Sequence, residues 1–248
     1  MQSYQQIAPE VNVTGTIQQL PRILQAIERG EFLPPHSYHL RGRMGQVLGI
    51  SGSSLCYPMK HSSNTEQLKK WLLEVEDKRF YQHGALDFKG ILRAIVRNLG
   101  AGKVAQGGST ITQQLARTLF LEPSRTWIRK LTEAIIAFKL EKHLTKDEIL
   151  DAYCNFVYMG RGSRGFEAAS RVIYRKPFGS LEQDKIPSLI GLLGAPERFH
   201  PESNEKKFWN RADQKARSLG MSVERISLNP ICVSRTFGKR IENVVQGC

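Results

Sequence analysis

The sequence predicts a mainly α-helical protein. Three observations carry that expectation. Apolar residues recur at i, i+3, i+4 and i+7 in several separate stretches, the spacing that gathers them on one helix face. Helix-start signals of the Ser/Thr-x-x-Glu kind stand at the head of two of those stretches. Strand-like alternation is scarce. With 248 residues the chain is long enough for one large domain, or for two lobes sharing a cleft.

Residues 1–62 carry few signals and are read as an N-terminal segment of uncertain structure without a transmembrane helix. Leu20, Ile23, Leu24 and Ile27 have helical spacing, and Pro34-Pro35 would stop such a helix. Gly42, Gly45, Gly49 and Gly52 then mark an irregular or extended stretch up to Pro58.

The patterned region, residues 63–201, opens on Ser63-Asn64-Thr65-Glu66, which fits a capping box. Leu68, Trp71, Leu72 and Val75 follow as one buried face, and Glu76 stands at its end. Asp87 is positioned to cap the next helix, whose apolar stripe is Phe88, Ile91, Leu92, Ile95, Val96 and Leu99. Its other face holds Lys89, Arg93 and Arg97, a pattern that suits either a core-facing helix with a solvated basic side or a helix lying on a membrane.

Gly100, Gly102, Gly107 and Gly108 make a flexible loop before Ser109 or Thr110 caps another helix. Trp127, Leu131, Ala134, Ile135 and Phe138 describe a third long helix. A second capping box, Thr145-Lys146-Asp147-Glu148, opens a helix through Ile149, Leu150 and Tyr153, and Gly160, Gly162 and Gly165 end that unit. Stretches 167–174 and 181–193 read as two more helices, and 202–248 is left unassigned.

A net charge of +13 points to an anionic partner: nucleic acid, an anionic membrane or a phosphate-bearing substrate. Charge by itself favours nucleic acid. The four cysteines are widely and irregularly spaced with no C-x-x-C pair, which argues against a zinc site and implies no disulfide framework. Cys154 reads as a small core residue. No stretch approaches the roughly 20 apolar residues that span a bilayer.

The candidate chemistry lies in four blocks. Glu76 and Asp77 are adjacent carboxylates, and Glu76 suits a general base. The bland alternative is a solvated acidic pair answering Lys78 and Arg79. His83 reads as structural, closing the turn before Gly84. In the Gly107–Leu115 block, Ser109, Thr110, Gln113 and Gln114 offer hydroxyls, amides and helix N-terminal N–H groups suited to sugar or phosphate. Helix capping would account for Ser109 or Thr110 but not for the two glutamines. No G-x-S-x-G or S-x-x-K pattern occurs there, which argues against a covalent serine mechanism. Arg117, Arg129 and Lys130 supply cations. Arg129 and Glu133, at i and i+4, read either as a surface ion pair worth a few tenths of a kcal/mol or as part of a pyrophosphate site.

The order of these blocks is itself informative. E-D-x-x-F-x-x-H-x-G from Glu76, G-G-S-T-I-T-Q-Q-L from Gly107, R-K-x-x-E from Arg129 and K-x-x-I-L-x-x-Y-x-N from Lys146 together resemble the peptidoglycan glycosyltransferases. These enzymes polymerise lipid II, alone or as the first domain of bifunctional penicillin-binding proteins. The resemblance runs from Leu68 to Pro201. A fifth motif around Ile190–Pro196 is only partly matched, with Gly194 where many members have lysine and Arg198 close by as a substitute cation.

That resemblance implies a mainly α, lysozyme-like two-lobed glycosyltransferase domain over 63–201, with a small membrane-contacting jaw lobe at about 86–108. It implies an inverting hexosyltransferase that joins lipid II into β-1,4-linked glycan for bacterial cell-wall biosynthesis, releasing undecaprenyl pyrophosphate. Glu76 and Glu133 take the catalytic positions. Asp77, Phe80, His83, Gly108, Ser109, Thr110, Gln113, Gln114, Arg117, Arg129, Lys130, Lys146, Tyr153 and Asn155 take substrate-binding ones. The simpler reading of Tyr153 is a ring packed inward with its hydroxyl satisfied.

The implied cofactor is Mg²⁺ or Mn²⁺ near Glu133, with no organic cofactor. Implied partners are lipid II, the growing glycan strand, an anionic membrane surface and cell-wall synthesis or division proteins, with nucleic acid no longer needed. The implied location is peripheral, on the outer face of the bacterial inner membrane. A lysozyme-like glycan hydrolase or lytic enzyme, and a catalytically inactive lipid II-binding relative, stand as alternatives.

Overall fold

A computed structural model describes the backbone of Leu24 and of residues 37–41, 47–52, 55–101, 108–121 and 126–228. Side chains are described for Leu24, 56–94, 108–121 and 126–228. The helix read over Leu20 to Ile27 therefore lies outside the described residues, except for Leu24, which is helical.

Helices dominate, as the periodicity predicts. In chain order they are α1 (Ser63–Glu76), α2 (Phe88–Ala101), α3 (Ile111–Phe120), α4 (Trp127–His143), α5 (Lys146–Phe156), α6 (Gly165–Tyr174), α7 (Ile186–Leu192), α8 (Pro196–Phe199) and α9 (Pro201–Ser218). The strands are β1 (Ser37–Arg41), β2 (Val47–Gly52), β3 (Leu55–Cys56), β4 (Tyr158–Gly160) and β5 (Ser163–Arg164). The chain divides into two compact units, one of Met1–Pro35 and Glu76–Tyr153, the other of His36–Val75 and Cys154–Cys248. The expected small lobe at 86–108 falls within the first of these, and 102–107 lie outside the described residues.

The second unit contains a five-stranded sheet in the order β1-β2-β3-β5-β4. β1 and β2 form an antiparallel pair from Ser37 opposite Gly52 to Arg41 opposite Val47, and β3 runs parallel to β5. The stretch read as irregular or extended is thus partly a strand. β3 and β5 are two residues each, too short for alternation to register. The sheet joins at Gly165, whose φ of +77° any side chain would resent and where an added Cβ would lie 2.2 Å from the Asn155 carbonyl oxygen.

Helix α1 starts one residue earlier in its capping pattern than predicted. The Ser62 hydroxyl, rather than Ser63, accepts the Thr65 N–H at 3.2 Å, and Glu66 lies near Lys69 instead. Leu68 and Leu72 are buried, and Asn64 donates to the carbonyls of Phe178 and Leu181 at 3.0 and 2.6 Å. These bonds satisfy a buried amide that would otherwise cost about 1–3 kcal/mol. α7 begins at Ile186, after a 3-10 turn at Gln183–Lys185, so the predicted helix from Leu181 is shorter than read. Every residue of α7 is buried, and Gly191 lets it meet α9, since a Cβ there would lie 3.2 Å from Arg211 Cγ. The stretch read as unassigned after 201 is therefore helical through Ser218, with a kink at Asn204. Cys56 and Cys154 are buried free thiols, and burial pushes Cys56 up to about 12 against the opposing pull of Arg164.

The first unit is built on α2, α3, α4 and most of α5. Its core holds Phe80, Ile111, Leu115, Leu119, Ile136, Leu140, Ile149 and Tyr153. Asp87 caps α2 as predicted, accepting the Gly90 N–H at 2.9 Å. Burial works against its charge, yet the Arg79 guanidinium and that N–H hold its carboxyl below the usual range. The Thr145/Glu148 box is also present, with reciprocal bonds of 2.8 and 3.3 Å. Helix α4 departs from the usual pattern. Its inward face carries Thr132, Glu133, Ile136, Ala137 and Leu140, while Trp127, Leu131, Ile135 and Phe138 point outward. Among the described residues no helix is long and apolar enough to cross a membrane.

Candidate active site

The first three motifs and most of the fourth meet in the first unit. Glu76 is half-buried at the end of α1. Its Oε2 lies 3.4 Å from the Gln114 side-chain nitrogen, which donates to it. The Gln114 amide has its orientation set from the other end, because its Oε1 accepts the Tyr153 hydroxyl at 2.7 Å. A hydroxyl that can only donate there to the carbonyl oxygen fixes the amide so that its NH₂ faces the carboxylate. Tyr153 is fully buried with its hydroxyl bonded, the simpler reading made from the sequence.

Asp77 plays a different part from its neighbour. Its Oδ2 accepts the backbone N–H of Ile111 at 3.0 Å, and its Oδ1 meets His83 Nε2 at 2.7 Å. His83 Nδ1 faces the Gly84 carbonyl at 2.6 Å, so the ring closes the turn as the sequence reading expected. Phe80, 1% exposed, packs edge-on to His83. Lys146 sits over the Phe80 ring at 4.5 Å and bonds Glu141 at 2.6 Å. Asp77, Phe80, His83 and Lys146 therefore hold the start of α3 and the turn after Glu76. Asp77 is not a solvated answer to Arg79: Asp77 turns to His83 and Arg79 to Asp87.

Thr110 and Gln113 form a capping box on α3, with Thr110 N–H donating to Gln113 Oε1 and Gln113 N–H to Thr110 Oγ1, both at 3.1 Å. Capping thus explains one of the two glutamines after all. Two of the first-turn N–H groups expected to meet sugar or phosphate are also engaged, Ile111 by Asp77 and Gln113 by Thr110. Gly108 serves close approach, since a Cβ would lie 3.2 Å from the Ile91 Cα.

The cations gather around Glu133. That side chain is wholly buried, with Arg129 Nη1 2.9 Å from Oε2 and Lys130 Nζ in direct contact with Oε1. Lys130 also donates to the Ser109 hydroxyl at 2.9 Å. The reading of Arg129 and Glu133 as a surface pair is therefore replaced by a wholly buried carboxylate answered by a largely buried Arg129 and a part-exposed Lys130. Both carboxylate oxygens hold cations, and the positive charges of Arg129 and Lys130 repel a divalent ion from Glu133 in this arrangement. Arg117 stands one helical turn beyond Gln114 on α3, and its guanidinium has no hydrogen-bond or ion-pair partner among the described residues.

Two further groups complete the picture. Asn155 belongs to the second unit, where its Oδ1 accepts the Met59 N–H at 2.8 Å and its carbonyl receives the Cys56 thiol. Asp77, His83 and Asp87 offer ligand atoms within 4.8 Å of one another, but Arg79 already neutralises Asp87 and His83 already bonds Asp77. Sequence reasoning missed Glu141, which receives Thr112 and Lys146 at 2.6 Å each, and the Ala85 carbonyl, which takes the Thr110 hydroxyl at 2.7 Å. Neither lies in the four motifs, and a backbone acceptor leaves no mark in a sequence.

The order of the four motifs led one to expect a transglycosylase, and the chain is the mainly helical protein that this implies. The family profile described as Transglycosylase matches residues 50–219, and the chain belongs to that family. Among its relatives are penicillin-binding protein 1A of Neisseria cinerea, 39% identical over 163 residues, and that of Pseudomonas aeruginosa, 35% identical over 170. Each match covers 66% of this chain, which spans about a fifth of the length of these curated relatives (20% and 21%). A crystal structure of penicillin-binding protein 1A from Haemophilus influenzae aligns with a TM-score of 0.42 at 15% identity, over 80% of this chain and 22% of that one.

Proposed function

We propose that this chain is a peptidoglycan glycosyltransferase that polymerises lipid II. The observation that carries the reading is Glu76, a half-buried carboxylate that accepts from the oriented amide of Gln114, which stands one helical turn before Arg117 on α3. Family membership and the penicillin-binding protein names of the relatives support it.

In this reading Glu76 takes the proton from the 4-hydroxyl of the acceptor GlcNAc as that oxygen attacks C1 of the donor MurNAc. The bond from C1 to the pyrophosphate oxygen breaks with inversion, and the lipid pyrophosphate leaves with the electron pair. Negative charge grows on that leaving group, so cations placed there lower the barrier directly. Arg117 is free to meet it, and Lys130, half-exposed on its far side from Glu133, can share its protons. Arg129 is more enclosed and belongs to the support of Glu133. Glu133 then acts by holding the two cations, not by touching substrate. A Mg²⁺ or Mn²⁺ ion would supply charge stabilisation to the departing pyrophosphate, and it would meet repulsion at Glu133 from Arg129 and Lys130.

Lipid II sits in a bilayer, so the same reading requires a membrane surface. Helix α2 supports it, with Phe88 and Leu92 70% and 64% exposed beside the exposed Lys89 and Arg93. The chain is then peripheral at the outer face of the bacterial inner membrane, with other cell-wall synthesis proteins as partners. Incubation with labelled lipid II in detergent, followed by separation of the products, tests the activity. Long β-1,4-linked strands are expected. Cleavage of purified glycan with no polymer from lipid II would instead make the chain a hydrolase.

A further inference from the structure

Helix α4 shows its apolar side to solvent. Trp127 is 91% exposed, Leu131 60%, Phe138 53% and Ile135 37%. Positions 127, 131, 135 and 138 are spaced by four, four and three, which lines them up along one face. Ile128, 54% exposed, widens that row at its start. The opposite face is buried because it carries Glu133 and its two cations together with Ile136, Ala137 and Leu140. An apolar row of this length facing water marks a surface made to be covered.

The charges around this face say what covers it. The carboxylates of α4 are Glu133, wholly buried, and Glu141, engaged by Thr112 and Lys146. Lys142 and His143 are exposed at the end of the helix. α2 contains no acidic residue at all. The two helices also meet one strip of chain: Gly108 lies against Ile91 of α2, and the next residue, Ser109, is bonded by Lys130 of α4. Ile91, which precedes the exposed Leu92, and Lys130, which precedes the exposed Leu131, therefore border the same strip. The exposed Asp147 and Glu148 belong to the next helix, α5, and an apolar face on two helices whose exposed described charges are all cationic complements an anionic lipid surface. It does not complement a second copy of a chain carrying +13, whose own cations would be brought together.

We propose that the outward face of α4 is a second lipid-contacting surface, which inserts Trp127, Leu131 and Phe138 into an anionic bilayer alongside the exposed start of α2. This extends the peripheral attachment proposed above to a helix that also carries the Glu133 cation triad. It would set Lys130 and Arg129 at the depth of lipid headgroups.

Trp127 makes the test direct. The chain has three tryptophans, and Trp209 is only 4% exposed. The full chain is mixed with phosphatidylglycerol vesicles, with phosphatidylcholine vesicles, and with both types carrying brominated acyl chains. The anionic vesicles should shift the emission to the blue, and brominated chains should quench it. Trp127→Phe should remove that response while flotation with the vesicles persists. Leu131→Ser with Phe138→Ser should weaken binding at least about tenfold, since two inserted side chains are lost, with helical circular dichroism unchanged. Because the vesicles contain no lipid II, this outcome is independent of whether the chain polymerises anything. Binding without quenching of Trp127, binding unaffected by the double substitution, or no binding to anionic vesicles at low salt would each overturn the proposal. So would a Trp127 already shielded from iodide in the free protein, which would mean that another part of the chain or a second copy covers the face.

Discussion

The Gln114 side-chain nitrogen donates to Glu76 Oε2 at 3.4 Å, and does so because Tyr153 holds the other end of the same amide at 2.7 Å. Three residues from three different motifs thus form one line ending on the proposed base. The consequence is that Tyr153, which has no exposed surface, bears on the chemistry through Gln114.

Tyr153→Phe should therefore lower turnover about fivefold, the equivalent of one hydrogen bond of about 1 kcal/mol. The change should fall on kcat more than on KM, because the amide orients the base and does not bind substrate. Gln114→Leu should cost more, and Gln114→Glu should not restore activity, since it would set two carboxylates together. Steady-state kinetics on lipid II with matched folded fractions is the measurement. Normal turnover per folded molecule in Tyr153→Phe, with only a lower thermal midpoint, would make the tyrosine purely structural.

Glu133→Ala should unfold the domain easily. It removes the one carboxylate that Arg129 and Lys130 share at a fully buried position, and breaking such a pair costs about 3–5 kcal/mol. Arg129→Ala should also destabilise, by less, because Lys130 still answers Glu133. Lys130→Ala should cost the least stability and the most turnover, its side chain being 39% exposed and bonded to Ser109. Chemical denaturation of the three variants gives the order. A loss below about 1 kcal/mol for Glu133→Ala, the range of a surface pair, would contradict the burial argument.

His200 should make stability fall on mild acidification. Burial, against the pull of Glu202 and with the help of Arg161, holds this fully enclosed ring at about 4, below the ordinary 6.5. Its Nδ1 accepts the Glu202 N–H at 3.3 Å, which needs an unprotonated nitrogen. Between those two values the unfolded chain binds a proton that the folded chain does not. Stability is therefore greatest above 6.5 and declines as pH falls towards 4, by at most about 3 kcal/mol. Urea denaturation between pH 7.5 and 5, above the range where most carboxylates titrate, should show the slope. His200→Asn keeps an acceptor without titration and should flatten it; an unchanged slope would remove His200 as the cause.

Much of this was legible in the sequence, and the exceptions share a cause. The stripe of α1, the Asp87 cap and the Thr145/Glu148 box are local, and local spacing reveals them. The sheet was not legible, because β3 and β5 are held by backbone pairing across more than a hundred residues and are two residues long. Periodicity showed that α4 has an apolar row but could not show which way it faces. The direction is set by Glu133, whose two cations satisfy it in the interior and so turn the opposite side outward. At the site, the motif order located the residues but not their division of labour. Thr110, Gln113, Asp77 and Phe80 turn out to hold the scaffold, Gln114 orients Glu76, and Glu76, Arg117 and Lys130 are left to meet a substrate.

The most direct measurement is lipid II polymerisation by Glu76→Gln. Glutamine keeps the size of the side chain and an oxygen for the Gln114 amide, but cannot take up the acceptor's proton. Loss of a general base costs about 10²–10⁴ in rate, so the variant should form no glycan strands on the timescale of the unsubstituted chain while keeping its thermal midpoint. Turnover within about tenfold of the unsubstituted chain, from a folded variant, would mean that Glu76 is not the base.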